Sequence, residues 1–147
     1  MKTLAIAADI LSKVGDCLNL QPGASQEDLD LVAALFNVTL PTGFRDLYTW
    51  RNGQAPDSAD SFAGNRTLMS LAEITAVKAG LDELIGTLWQ RDWIPFLDDG
   101  RGNYTVIDLS PEGRGRLLNF YHQDGFRKVV NSSIEEWIEE LADSMNR

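Results

Sequence analysis

Residues 93–130 read WIPFLDDGRGNYTVIDLSPEGRGRLLNFYHQDGFRKVV, and this run sets the architecture of the C-terminal half of the chain. It holds short apolar segments, which span residues 93–97, 103–109, 116–121 and 126–130. Between them stand turn-forming runs, namely DDGRG (98–102), SPEGRG (110–115) and QDG (123–125). Apolar segments of this length, separated by Gly-containing turns, are typical of consecutive antiparallel strands. The run therefore predicts an antiparallel meander.

The residues before the meander carry helical periodicity instead. Apolar side chains three and four positions apart predict helices over about residues 3–18, 25–36, 41–48 and 70–88. Asn52-Gly53 is expected to end the third of these helices, because glycine tolerates the left-handed conformation found after a helix. Between the third and fourth helices, we expect a loop over residues 54–65 and a short strand over residues 66–69.

Several capping residues support these helices and a final one. Ser25 is a typical N-cap, and Ser70 with Glu73 forms a capping-box pattern. Ser132 or Ser133 is expected to begin a last helix after the meander. The sequence therefore predicts an α+β fold, in which N-terminal helices pack on an antiparallel β-meander of about four to six strands, closed by a C-terminal helix.

Composition limits the classes of function. The chain has 147 residues, which fits a single domain over residues 1–147, and its formal net charge is −9. That charge argues against binding to nucleic acid or an anionic membrane and favours a basic partner. One cysteine, Cys17, and one histidine, His122, exclude an internal disulfide and a multi-histidine metal site. We expect no metal, no cofactor and, without a membrane-length or export segment, a cytoplasmic protein.

Carboxylates supply the candidate binding residues. Five acidic side chains of the predicted last helix fall within an arc of about 140°, at Glu135, Glu136, Glu139, Glu140 and Asp143. This arc is either a solvated helix face or a docking surface for a cationic partner. The predicted partner-binding residues are Trp50, Asp57, Asp60, Asp98, Asp99, Glu136, Glu139, Glu140 and Asp143. Asp98 and Asp99 stand in a Gly-rich turn whose spacing fits neither a calcium loop nor a phosphate cradle.

The order of these features resembles the SUKH superfamily. The resemblance is carried by Leu40-Pro41, Phe44-Arg45, Leu47-Tyr48 and Asn52-Gly53, by the run from Ser70 to Ile74, by Trp93-Ile94-Pro95-Phe96 with the turn from Asp99 to Tyr104, and by Ser132-Ser133-Ile134 with Trp137-Ile138. It covers a core of residues 22–142, with residues 1–20 as a helical extension. The resemblance implies helices packed on an antiparallel sheet and no active site. Its bacterial members are immunity proteins that neutralise toxins, and its fungal members regulate cell-wall assembly.

Three functions remain open from the sequence. The first is an immunity protein that binds a basic toxin of the nuclease or deaminase class. The second is a regulatory scaffold with an endogenous protein partner. The third is an enzyme, which would need a pocket gathering His122 with two carboxylates. Nothing in the residue spacing favours the enzyme, and the oligomeric state stays open.

Overall fold

A computed structural model describes residues 20–55, 66–84, 89–121 and 128–145. Within these ranges the chain forms strands and helices in the order β1 (Leu20–Pro22), α1 (Gln26–Phe36), α2 (Thr42–Trp50), β2 (Arg51–Gln54), β3 (Thr67–Leu68), α3 (Leu71–Asp82), β4 (Trp93–Asp98), β5 (Tyr104–Asp108), β6 (Arg116–Phe120), β7 (Lys128–Asn131) and α4 (Ile134–Met145). The predicted helix over residues 3–18, with Cys17, lies outside the described residues. The predicted α+β class and the closing helix are confirmed.

The meander is a five-stranded antiparallel sheet in the order β3-β4-β5-β6-β7. Its register is regular between β5 and β6, where Thr105 pairs with Asn119 and Ile107 with Leu117. Shifts in register occur between β4 and β5 and between β6 and β7. Because neighbouring strands are consecutive in the chain, each connection is a hairpin except the link from β3, which passes through α3.

The prediction that Asn52-Gly53 ends a helix is wrong. The helix ends at Trp50, and residues 51–54 form β2, which pairs with β1 in a second, two-stranded sheet that the sequence pattern did not predict. Gly53 has φ +71°, and a Cβ there would lie 2.4 Å from the Ser70 nitrogen. Glycine is therefore required by positive φ and by the close approach of the next segment. Asn52 uses its side chain to accept a hydrogen bond from the Leu71 N–H (2.8 Å).

The predicted helix caps at Ser25 and Ser70 are confirmed, whereas the helix that begins after Ser70 is shorter than predicted. Ser25 and Ser70 both form capping boxes, the latter with Glu73 as its reciprocal partner. The helix predicted to reach residue 88 ends at Asp82, and Leu84 is exposed. Gly80 weakens its last turn, and the Asp82 carboxylate accepts hydrogen bonds from the side chains of Lys78 and Trp89.

The main core lies between the helices and one face of the meander, called here the inner face. It is built from buried aliphatic and aromatic side chains, including Leu29, Phe44, Leu47, Tyr48, Ile74, Ile94, Phe96, Ile107, Leu117, Ile134, Trp137 and Ile138. The Tyr48 hydroxyl donates to the Met69 carbonyl at 2.6 Å, so its polar atom is satisfied inside this core. No helix within the described ranges is long and apolar enough to cross a membrane.

The opposite, outer face of the sheet carries a smaller aromatic cluster. Trp89 packs edge-on against Trp93 and Phe120, with ring centroids 5.4 and 5.2 Å away. Beside it lies Lys78, whose side chain is fully buried. The Lys78 ammonium donates to the Asp82 carboxylate (3.0 Å) and to the Arg91 carbonyl (2.6 Å).

Candidate functional site

The beginning of α4 joins the last helix to α2. Ser133 accepts a hydrogen bond from the Glu136 N–H (3.1 Å), so Ser133 caps the helix as one of the two predicted serines. Glu135 reaches across to accept the Gly43 N–H at 2.9 Å. Gly43 stands in the first turn of α2, where the N-cap residue Pro41 provides no side-chain acceptor. Glu135 therefore caps α2 from a distant part of the chain, and the helix dipole favours its charge there.

Two further carboxylates of α4 are held by the strand that precedes it. The buried side chain of Asn131 donates through Nδ2 to Glu136 (3.2 Å) and to Glu140 (2.9 Å). Glu136 also accepts the backbone N–H and the hydroxyl of Ser132. These bonds, chiefly the backbone bond from Ser132, lower the pKa of Glu136 below its usual value. Both carboxylates are therefore held in place by Asn131, and the lowered pKa of Glu136 favours its ionised form.

Glu139, Glu140 and Asp143 are all exposed on α4. Of these three, Glu140 accepts the Asn131 Nδ2–H. The acidic arc is thus divided: Glu135, Glu136 and Glu140 accept N–H groups of the fold, whereas Glu139 and Asp143 extend the arc as exposed residues. Sequence spacing alone treated all of them as equivalent.

Asp98 and Asp99 organise the hairpin between β4 and β5. Asp98 accepts the Gly100 N–H at 2.7 Å, and Asp99 accepts from the Arg101 N–H at 2.8 Å and from both nitrogens of Asn103. Partial burial raises the pKa of Asp99, but these hydrogen bonds outweigh that effect, and the net pKa is lowered. The predicted turn is therefore held by its own carboxylates.

One pocket lies close to the β4–β5 hairpin and to the part of α4 that carries Glu136 and Glu140. It has a volume of about 250 Å³ and is lined by Arg66, Leu97, Thr105, Asn119, Val130, Asn131 and Trp137. On one side, the charge of Arg66 acts on Asp99. On the other side, Asn131 binds Glu136 and Glu140. The predicted residues Asp99, Glu136 and Glu140 therefore do not line this pocket, called here the Arg66 pocket, but each interacts with a residue that does.

The remaining predicted residues do not join this pocket in the described structure. Trp50 lies at the end of α2, where it is partly buried against the main core and the guanidinium of Arg51 lies 5.6 Å from its ring. Asp57 and Asp60 fall outside the described residues, as does His122. Among the described side chains, no group of three or more His, Cys, Asp or Glu is placed to hold a metal ion.

Sequence reasoning missed Arg66 and Asn131, two of the polar residues that line the pocket. Arg66 follows a stretch expected to be a loop and gives no periodic signal. Asn131 ends an apolar strand, and a polar side chain at that point was a usable sign of a buried hydrogen-bonding role.

Comparison with known proteins gives one family. The model of the SMI1 / KNR4 family (SUKH-1) matches residues 23–140, which includes every described element from α1 through most of α4. No curated protein sequence matches the chain.

Proposed function

The chain belongs to the SMI1 / KNR4 family (SUKH-1), and from this membership we propose that it is a non-enzymatic immunity protein. Its partner is a basic bacterial toxin of the nuclease or deaminase class, which it binds and neutralises in the cytoplasm. The whole chain acts as one domain without a cofactor. The binding surface is centred on the acidic residues around the Arg66 pocket.

The observation that carries this proposal is the charge held around that pocket. Asp99 and Glu136 have lowered pKa values and stay ionised at neutral pH. Glu139 and Asp143 extend the same negative surface into solvent along α4. Toxins that act on nucleic acids need cationic surfaces for the phosphate backbone. A chain of net charge −9 attracts such a surface over long distances and accelerates encounter.

The test measures association with a toxin-like protein encoded beside this chain, in a catalytically inactive form. We would compare the wild type with Glu139→Gln/Asp143→Asn, which neutralises the exposed end of α4. The matched control is Glu27→Gln/Glu83→Gln, which removes the same charge from exposed residues on other elements. We expect the α4 variant to lower the association rate constant by at least about threefold at low salt, with little change at high salt. The control variant should remain near the wild-type rate.

Protection from the active toxin on co-expression is the second readout. Failure to form a complex, together with failure to protect, would reject the immunity function. Equal loss of association rate in the two double variants would reject the placement of the surface on α4. Purification of a stable complex with an endogenous, non-toxic protein would instead favour a regulatory scaffold, the other kind of role that the sequence resemblance implies.

A further inference from the structure

Arg66 is buried in an unusual way for a cationic side chain. Its residue is only 9% exposed, and its Nη1 atom is buried without a hydrogen-bond partner. Within the part of the chain that the structure describes, no carboxylate lies close enough to form an ion pair with it. Buried donors in folded proteins are almost always paired, and arginine most strongly so. A buried Nη1 without an acceptor, on a side chain that lines a pocket, therefore indicates a missing acceptor.

The position of Arg66 is fixed by its neighbours. It stands directly before β3, whose Thr67 pairs with Asp98 on β4. The Tyr121 ring lies 5.7 Å from the Arg66 Cζ, in the range of a cation–π contact. The guanidinium is thus held against the sheet at the wall of the pocket.

The other polar lining residues favour a ligand that accepts hydrogen bonds. The Thr105 hydroxyl donates to Asn119 Oδ1 at 2.8 Å, which orients the amide. Asn119 Nδ2 has no acceptor among the described residues. Asn131 has already committed its Nδ2 to Glu136 and Glu140. The pocket therefore offers one cationic and one neutral donor.

We propose that the Arg66 pocket binds a single carboxylate group. Arg66 supplies charge-assisted hydrogen bonds in the forked geometry that matches a carboxylate, and Asn119 supplies a further donor. Leu97, Val130 and Trp137 line the pocket for the carbon atoms that carry the group. A volume of about 250 Å³ accommodates an amino-acid side chain or a chain terminus.

The surrounding charges narrow the ligand class further. Asp99, Glu136 and Glu140 stand around the pocket and repel a dianion more strongly than a monoanion. Inorganic phosphate is therefore disfavoured relative to a carboxylate. The carboxylate has three possible sources: a free small acid, the C-terminus of a polypeptide, or an aspartate or glutamate side chain of a partner.

The experiment is an NMR titration of the full chain with three probes. Acetate represents a free acid, N-acetylglycine a chain terminus, and N-acetylaspartic acid amide an acidic side chain. The signals followed are the Arg66 Nε–Hε and the Trp137 indole N–H. We expect saturable shifts at both signals with at least one probe and weaker binding of inorganic phosphate. The tightest probe identifies the source, since each is matched to one of the three.

Variants determine whether Arg66 is responsible. Arg66→Met should weaken binding at least about tenfold, and Asn119→Ala should weaken it by a smaller factor. Arg101→Met is the matched control, because it removes the same charge from an exposed residue of the neighbouring hairpin, and it should bind as the wild type does. If Arg66→Met does not fold, Asn119→Ala with Arg66→Lys provides the comparison.

Three results would overturn the proposal. They are the absence of saturable shifts with all three carboxylates, binding unaffected by the Arg66 and Asn119 substitutions, and phosphate binding tighter than any carboxylate. Because the titration contains no protein partner, its outcome is independent of whether the chain neutralises a toxin.

Discussion

Replacing Lys78 with methionine removes one charge from a buried network and keeps nearly the same side-chain volume. In the native structure the ammonium group is bound by Asp82 and by the Arg91 carbonyl, and its position is also 5.0 Å from the centre of the Phe36 ring. Asp82 additionally accepts the Trp89 indole N–H at 2.7 Å. The substitution therefore leaves a carboxylate and a carbonyl without their shared donor.

The expected loss of stability depends on which contacts of Asp82 remain after the substitution. Removing one partner of a buried ion pair costs about 3–5 kcal/mol. Asp82 retains the indole N–H, and its side chain is 20% exposed, so water can reach part of it. Methionine fills the volume and leaves no large cavity. We therefore expect the free energy of unfolding to fall by about 2–4 kcal/mol.

Urea denaturation followed by tryptophan fluorescence measures this loss. The midpoint should fall while the m-value stays unchanged. Lys128→Met is the matched control, because Lys128 is exposed on β7, and it should change stability by no more than about 0.5 kcal/mol. Adding Asp82→Asn to Lys78→Met should recover part of the loss, since the unpaired charge is gone. Equal midpoints for Lys78→Met and Lys128→Met would refute the reasoning.

The same variant isolates a pH dependence. Burial lowers the pKa of Lys78, although hydrogen bonding to Asp82 and the charges of Asp82 and Asp92 oppose this effect. An unfolded lysine titrates near about 10.4. Between the lowered folded value and that pH, the unfolded chain binds more protons, so the wild type gains stability as pH rises. The stability difference between wild type and Lys78→Met should therefore widen in this interval, and a narrowing difference would contradict the assigned sign.

Two other substitutions test contacts that the structure revealed. Glu135→Ala should destabilise the protein by about 1–2 kcal/mol in urea denaturation, because α2 loses its cap. Asp143→Ala is the control and should change stability by less than about 0.5 kcal/mol. Equal losses of stability in the two variants would contradict a capping role for Glu135. Tyr48→Phe should cost about 1–3 kcal/mol because the Met69 carbonyl loses its donor. Burial raises the pKa of Tyr48 well above its usual value, so the wild type loses stability as pH rises above about 10, where the unfolded tyrosine ionises. The difference in free energy of unfolding between wild type and Tyr48→Phe should therefore narrow above that pH. A difference that stays constant would contradict the raised pKa of Tyr48.

The sequence predicts the fold class because its signals are local. The turns of residues 98–102 and 110–115 and the capping boxes at Ser25 and Ser70 are encoded by a few adjacent residues. The two-stranded sheet was missed because its signal is not local. Leu20 pairs with Gln54 across more than one helix, and only the contact between Gly53 and residues 69–70 explains the glycine.

The candidate site was predictable only in part for a related reason. Helical spacing correctly places Glu136, Glu139, Glu140 and Asp143 on one helix, but it cannot distinguish a carboxylate that caps a helix from one that faces solvent. Glu135 is distinguished by Gly43, which lies 92 positions away in the chain. The role of Arg66 depends on a pocket formed by residues of the meander and α4, and no spacing rule brings those elements together.

The hydrogen bonds that the acidic residues already accept within the chain limit the binding free energy that a partner can gain from them. Glu136 and Glu140 already accept N–H groups from Asn131, so a partner cation attracts them at a distance but supplies no missing hydrogen bond. Ion pairs at exposed residues such as Asp143 contribute little individually. A carboxylate delivered to Arg66 would, in contrast, satisfy a buried donor that has no partner in the described structure. The negative charge of this chain would then set the association rate of a basic partner. A carboxylate of that partner, bound to Arg66, would set the dissociation rate of the complex.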